Sequence, residues 1–316
     1  MKLLVTGSNG FVGHHLCPKL LEHGYFLNKA LRTPSQEMNS FQKRYISVGS
    51  INKNTDWSDA LDGCDAVIHL AARVHVMNET SQAPLAAFRE VNVNGTVELA
   101  QQAADAGIKR FIFVSTAKVN GEWTNGRRPF APGDAPDPQD FYSISKMEAE
   151  QGLQEIARTT GMAVVIVRPP LVYGPHVKAN FAAMIRWLSQ GIPLPLGAVT
   201  DNRRSLVSLD NLADFLITCL EHPEAANHTF MVSDGEDLST TALLQRLGKA
   251  MGTAPLLLPI PPVILEAGAT LLGKGDMAQR LLNSLEVDIS KNAALLGWQP
   301  PFSVDEGLEK TAKTFF

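Results

Sequence analysis

The chain has 316 residues, 45% hydrophobic and 19% charged, with 28 basic against 32 acidic side chains and a formal net charge of −4. That composition suits one large domain or two intimate ones with a sizeable core, and it excludes a strongly basic nucleic-acid binder or an acidic disordered tail. Three scattered cysteines (Cys17, Cys64, Cys219) and histidines without ligand spacing exclude a disulfide framework and argue against a metal site.

Met1 to Thr6 is a short apolar run ended by glycine and reads as a buried strand. Phe11 to His23 has helical spacing and closes at Gly24. Further strands are expected at Phe26 to Leu31, Tyr45 to Val48, Ala66 to Leu70, Arg110 to Ser115 and Ala163 to Val167. Helices are expected over Ala86 to Gly107 and Tyr142 to Thr160. Apolar strands alternating with helices predict a doubly wound parallel sheet covered on both faces. Beyond about residue 170 the alternation fades. Phe181 to Gln190, Leu212 to Glu221 and Thr240 to Met251 read as helices, Arg203 to Leu209 as a strand, and the proline-rich end as short pieces. We therefore expect a dinucleotide-binding domain over 1–170, rejoined by about 205–235, and a smaller C-terminal α/β lobe from 171–204 and 236–316. The most apolar stretch, Ala254 to Gly273, contains four prolines and Glu266, which disfavours a membrane span. No secretion signal is legible, and a cytoplasmic location is expected.

Two constellations carry chemistry. Thr6-Gly7-Ser8-Asn9-Gly10-Phe11-Val12-Gly13 lies between a strand and a helix, the context that a dinucleotide fingerprint requires. Gly7 permits a tight turn, Gly10 lets backbone approach a pyrophosphate, and Gly13 lets helix and strand pack closely. The helix N-terminus then offers unpaired N–H groups and a positive dipole end. In Tyr142-Ser143-Ile144-Ser145-Lys146 the tyrosine and lysine stand four apart on one helix face. A nearby ammonium and an oxidised nicotinamide both favour phenolate; bringing a phenol from ~10 to ~7 takes ~4 kcal/mol. Such a tyrosine exchanges protons with an alcohol or ketone. Thr116, in Phe113-Val114-Ser115-Thr116-Ala117, ends a strand at the edge where parallel sheets bind ligands. The loop from Gly121 to Asp140 is long enough to suggest function.

The chain resembles the extended short-chain dehydrogenase/reductase family, in its nucleotide-sugar epimerase/dehydratase branch and most like the UDP-glucose 4-epimerase-like subgroup. The resemblance rests on TGSNGFVG, GCDAVIHLAA (63–72), VNVNGT (91–96), FVSTAKVNG (113–121), YSISK (142–146), RPPLVYGP (168–175), RRSLVSLDNLAD (203–214) and LLGWQP (295–300). It implies a Rossmann-type fold, an NAD or NADP cofactor, a nucleotide-sugar substrate, and a homodimer formed through Ala86–Gly107 and Tyr142–Thr160. It implies that Gly7, Asn9, Gly10, Phe11, Val12 and Gly13 line the pyrophosphate. Leu70, Ala71, Ala72, Ser50, Ile51, Ser115, Pro169 and the structural Asn92 would follow the dinucleotide. Tyr142 would be the general acid/base, Lys146 would hold the nicotinamide ribose, and Thr116 would bind the reacting oxygen. Asn180, Arg204 and Arg280 would hold the sugar diphosphate or its nucleotide, and Lys118 would reach the substrate.

The departures from the family pattern inform the reaction. An acidic residue that would bind the ribose 2′-OH is replaced by Leu31, with Arg32 next, which favours NADP. Ala117 and Lys118 stand where 4,6-dehydratases carry Asp-Glu, so dehydration is not expected. What remains is oxidation and reduction at one carbinol, as a UDP-hexose 4-epimerase or, alternatively, an NADP-dependent 4-ketoreductase or dehydrogenase. A non-catalytic NADP-binding sensor and a reductase of apolar ketones are the remaining readings.

Overall fold

The computed structural model describes residues 1–33, 39–74 and 83–315. The apolar runs of its first half become strands β1 (Lys2–Thr6), β2 (Phe26–Leu31), β3 (Lys43–Ser47), β4 (Ala66–His69), β5 (Arg110–Val114) and β6 (Ala163–Arg168). Two three-residue strands, β7 (Leu171–Tyr173) and β8 (Leu206–Ser208), pair with each other, and β9 (Thr229–Met231) returns to the main sheet beside β6. The seven-stranded sheet has the order β3-β2-β1-β4-β5-β6-β9, with every pairing parallel. The order reverses between β1 and β4, which places a crevice at their C-terminal ends.

Successive strand residues are buried on opposite faces, as the unbroken apolar runs require. On one face Leu3, Val5, Ile68 and Val165 pack against Leu16 and Leu20 of α1 (Phe11–Glu22). On the other, Leu4, Val67, Phe111 and Phe113 form a second core with α2 (Ser58–Leu61).

The helical pattern expected over Ala86–Gly107 is broken in the structure. It splits into α3 (Pro84–Arg89), a π-turn at Glu90–Asn94 and α4 (Gly95–Asp105). One wide turn rotates Asn92 inward, where its amide bonds both backbone groups of Arg73 and the Ser145 hydroxyl. Next come α5 (Phe141–Thr160), which covers that same face with α4, α6 (Ala179–Ser189), α7 (Leu209–Glu221), which packs beside α1, and α8 (Thr240–Ala250).

The short pieces expected at the C-terminal end are helical: α9 (Pro262–Leu271), α10 (Gly275–Leu282), α11 (Ser290–Leu296) and α12 (Val304–Ala312). Proline starts α9 rather than stopping it, because a first-turn residue needs no N–H partner. A third core joins Tyr173, Phe181, Ile185, Leu206, Leu244, Leu247 and Leu308. No helix among the described residues is long and apolar enough to cross a membrane.

Candidate active site

The glycine turn closes over the crevice by contact rather than by hydrogen bonding alone. Gly7 has φ of 65°, and a Cβ there would lie 2.7 Å from the Ala71 backbone nitrogen. A Cβ on Gly13 would lie 2.7 Å from Ser8 Cα, so α1 touches the turn. Gly10 N donates to Gly7 O at 2.9 Å, and Gly10 caps α1 without a side-chain partner. With no acid in its first turn, α1 leaves its leading N–H groups for an anion. The Ser8 hydroxyl is buried in this turn without a hydrogen-bond partner. A cradle only glycine can line and an orphaned hydroxyl fit a bound pyrophosphate. Asn9 is exposed on this loop and Phe11 and Val12 are half-buried at the start of α1; Leu70 and Ala71 face Gly7, with Ala72 next, all half-buried.

Arg32 is exposed directly after β2, with Leu31 half-buried before it. Ser50 is exposed, its carbonyl taken by the Thr55 hydroxyl at 3.0 Å, and Ile51 packs against Gly95.

β5 delivers Ser115 and Thr116 to the same edge. Thr116 caps a short 3₁₀ turn, Ala117–Val119, accepting from the Lys118 backbone N–H at 3.3 Å. α5 opens on an Asp140/Ser143 capping box, which puts Tyr142 in its first turn and Lys146 one turn further on. Tyr142 meets Phe88 edge-on at 6.5 Å, and Lys146 Nζ lies 3.8 Å from the centre of the Phe113 ring. Ala117 N donates to the carbonyl of Pro169, which ties this turn to the end of β6.

In the protein alone, burial and then the Asp140 charge push the Tyr142 phenol up to about 12. Burial pushes Lys146 down to about 7, with Glu150 opposing it. Loss of solvation is the largest influence on both groups. His69, one strand away, bonds the Thr6 and Thr96 hydroxyls at 2.7 and 2.9 Å, and burial holds it neutral, at about 3.

A cleft of about 740 Å³ lies beside the N-terminus of α5, lined by Lys118, Glu122, Trp123, Arg127, Asp140 and Arg280 among others. Lys118 lines this cleft, and its ammonium pairs with Glu122 at 2.7 Å and Asp140 at 2.9 Å. Arg204 is half-buried within the fields of Glu122 and Arg280, and donates to the Asn283 carbonyl at 3.1 Å. Arg280 is exposed at the end of α10. Asn180 is exposed at the start of α6 and is not among the residues lining this cleft. The structure thus gathers the glycine turn, Thr116, Tyr142 and Lys146 at one sheet edge; Arg280 lines the cleft, and neither Arg204 nor Asn180 does.

Sequence reasoning missed a buried network beneath these residues. Glu150 accepts from the Ser115 hydroxyl and from Arg168 Nε at 3.0 Å, and Arg168 Nη1 donates to Asn120 Oδ1 at 2.8 Å. The spacing Tyr142, Lys146, Glu150 marks one helix face and was the available signal.

A parallel sheet with a glycine turn at its switch point, and a Thr–Tyr–Lys set on the adjoining strand end and helix, defines a Rossmann-type dinucleotide-binding protein. The chain belongs to the NAD dependent epimerase/dehydratase family, whose sequence profile matches residues 3–233. It is 46% identical to a UDP-glucose 4-epimerase of Vibrio cholerae over 314 residues, 99% of this chain and 95% of that one. In fold it is similar to the UDP-glucose 4-epimerase of Thermotoga maritima, solved with UDP-glucose, at 24% identity and a TM-score of 0.77 over 100% and 98% of the two chains. It is equally similar to a UDP-glucuronic acid 4-epimerase of Bacillus cereus solved with NAD, at 22% identity and a TM-score of 0.77, covering 99% and 96%.

Proposed function

We propose that this protein is an NAD-dependent UDP-hexose 4-epimerase. The observation that carries the reading is the Thr116, Tyr142 and Lys146 set beside an intact glycine cradle, in a chain 46% identical to a UDP-glucose 4-epimerase along nearly its whole length.

In this reading Gly7, Gly10 and Gly13, with the first N–H groups of α1, hold the dinucleotide pyrophosphate. Asn9, Phe11, Val12, Ser50, Ile51, Ser115, Pro169 and 70–72 enclose the rest, and Asn92 fixes the loop after β4 to α5. NAD, when bound, supplies a hydride acceptor and later donor at the sugar C4. Tyr142 takes the C4-hydroxyl proton and returns it, and Thr116 hydrogen-bonds the same oxygen. Lys146 would hold the nicotinamide ribose and favour phenolate, and a bound oxidised nicotinamide would add a second positive charge against the burial of Tyr142. Asn180, Arg204 and Arg280 hold the diphosphate and nucleotide. Lys118 acts through Glu122 and Asp140, fastening the Thr116 turn to the cap of α5. Residues 1–170, with 205–235, form the dinucleotide domain and 171–204 with 236–316 the sugar lobe. The protein works in the cytoplasm as a homodimer joined through α4 and α5.

Arg32 and the missing carboxylate at Leu31 favour a second reading, an NADP-dependent 4-ketoreductase, because a guanidinium suits a 2′-phosphate. One experiment separates them. Purified protein given UDP-glucose and no added cofactor forms UDP-galactose and, on denaturation, releases near-stoichiometric NAD if it is an epimerase. No conversion, with NADP or nothing released, moves the assignment to the ketoreductase.

A further inference from the structure

Glu150 has no role in the reaction as derived above, yet it is 2% exposed and lies one helical turn beyond Lys146. Its carboxylate is fully engaged. Besides Ser115, from the end of β5, it receives both Nε and Nη2 of Arg168, from the end of β6. Arg168 also donates to Asn120, which follows the 3₁₀ turn, and to the Pro132 carbonyl at 3.3 Å. Asn120 in turn donates to the Ala131 carbonyl at 3.0 Å. Every segment that carries Thr116, Tyr142 or Lys146 is therefore tied to one buried carboxylate. A buried ion pair is weak evidence for stability, since desolvation offsets its attraction. Its better-attested use is to fix one arrangement of the chain.

We propose that Glu150 is a positioning residue for proton transfer: it locks the ends of β5 and β6 onto α5 and supplies the negative charge that keeps Lys146 an ammonium beside Tyr142. The proposal rests on the reading of Tyr142 and Lys146 given above. Glu150 is the charge that opposes the burial of Lys146. On the side of α3, the π-turn and α4, which also pack on α5, the charged groups are Arg89, paired with Glu148 of α5, and Glu90 and Glu98, which accept hydrogen bonds from Asn94 and Gln102. From β4, His69 is neutral and adds no negative charge; from β5, Phe113 offers its ring face and Ser115 is neutral; from β6, Arg168 is a cation. From α5 itself, Tyr142 stands on the side away from Glu150, and Asp140 beyond it acts on Tyr142. Among the described residues no group accepts a hydrogen bond from Lys146 Nζ, so its charge depends on this nearby carboxylate.

The test is the pH profile of kcat for Glu150→Gln and for the double variant Glu150→Gln/Arg168→Met, alongside thermal unfolding. Without the carboxylate the ammonium is lost at lower pH. The alkaline limb of the profile should move to lower pH, with kcat at pH 7 down by about tenfold or more and KM little changed. The double variant leaves no buried charge unpaired, so it should regain thermal stability while keeping the narrowed profile; it carries the test if the single variant does not fold. A profile reduced in height with both limbs in place, or restored by the double variant, would overturn the proposal. Full turnover by Tyr142→Phe would instead refute the reading of the site on which it rests.

Discussion

Helix α5 is rich in charge, yet its inner face buries Ser143, Ser145, Lys146 and Glu150 together with Ala149, Leu153 and Ile156. Helix α9 carries a single charge, Glu266, and none of its residues is buried; Val263 and Ile264 are 76% and 61% exposed. Mean hydropathy would have reversed the two. Burial is decided position by position, by what packs against each side chain. α5 crosses β5 and β6, where hydroxyls and an arginine meet its polar groups and Leu153 enters the second core. α9 lies at the rim, resting on α10 and reaching the third core only through Leu265. Polar groups go inside where partners exist, and an apolar helix stays outside where nothing covers it.

The sharpest way to test this contrast is at the first turn of α5. Tyr142→Phe should lower kcat by roughly 10²–10⁴-fold while thermal unfolding stays nearly unchanged, because Phe keeps the contact with Phe88. A matching loss of stability would make the residue structural. Next in size is the apolar part of the same face. Leu153→Ala should cost about 2–5 kcal/mol in urea unfolding, since Leu153 is fully buried. A loss under ~1 kcal/mol would mean that α5 is not anchored as described.

Acid should then expose the strand beneath α5. His69 has its pKa lowered from 6.5 to about 3 in the folded protein, so unfolding takes up a proton below about pH 6.5. Its contribution is complete above that value and falls by ~1.4 kcal/mol per pH unit as pH drops toward 3. Urea midpoints at pH 7 and pH 5 should therefore differ more for the parent than for His69→Gln; equal differences would remove His69 from the account. The smallest effect belongs to α9. Leu271→Ser, at a site 89% exposed, should change stability by less than ~0.5 kcal/mol and leave turnover intact. A large loss would show that α9 is covered in solution.

Much of this was legible in the residues. The strand at 2–6, the glycine turn and the Tyr142/Lys146 pair depend on neighbours within a few positions, through steric limits on φ and the two structural periods. The short strand β9 carries too few residues for a period to register, and Pro261-Pro262 reads as a break although it starts a helix. Lys118 illustrates a different limit. Its type suggested reach toward a ligand; its pairing with Asp140, 22 residues away, was not legible. Helical spacing places Glu150 on the face of Tyr142 and Lys146, but its partners, Arg168 at 18 residues and Ser115 at 35, are not legible from that spacing.

The sequence by itself determined the alternating α/β order, the cradle for a dinucleotide and the residue types available for proton transfer, because these follow from local sterics, periodicity and side-chain chemistry. Only the tertiary structure decided which of those side chains are charged and which are held still. Burial pushes Tyr142 up to about 12 and Lys146 down to about 7. Those shifts, and the carboxylate of Glu150 that opposes the second, are sums over groups that meet in space after being far apart in the chain.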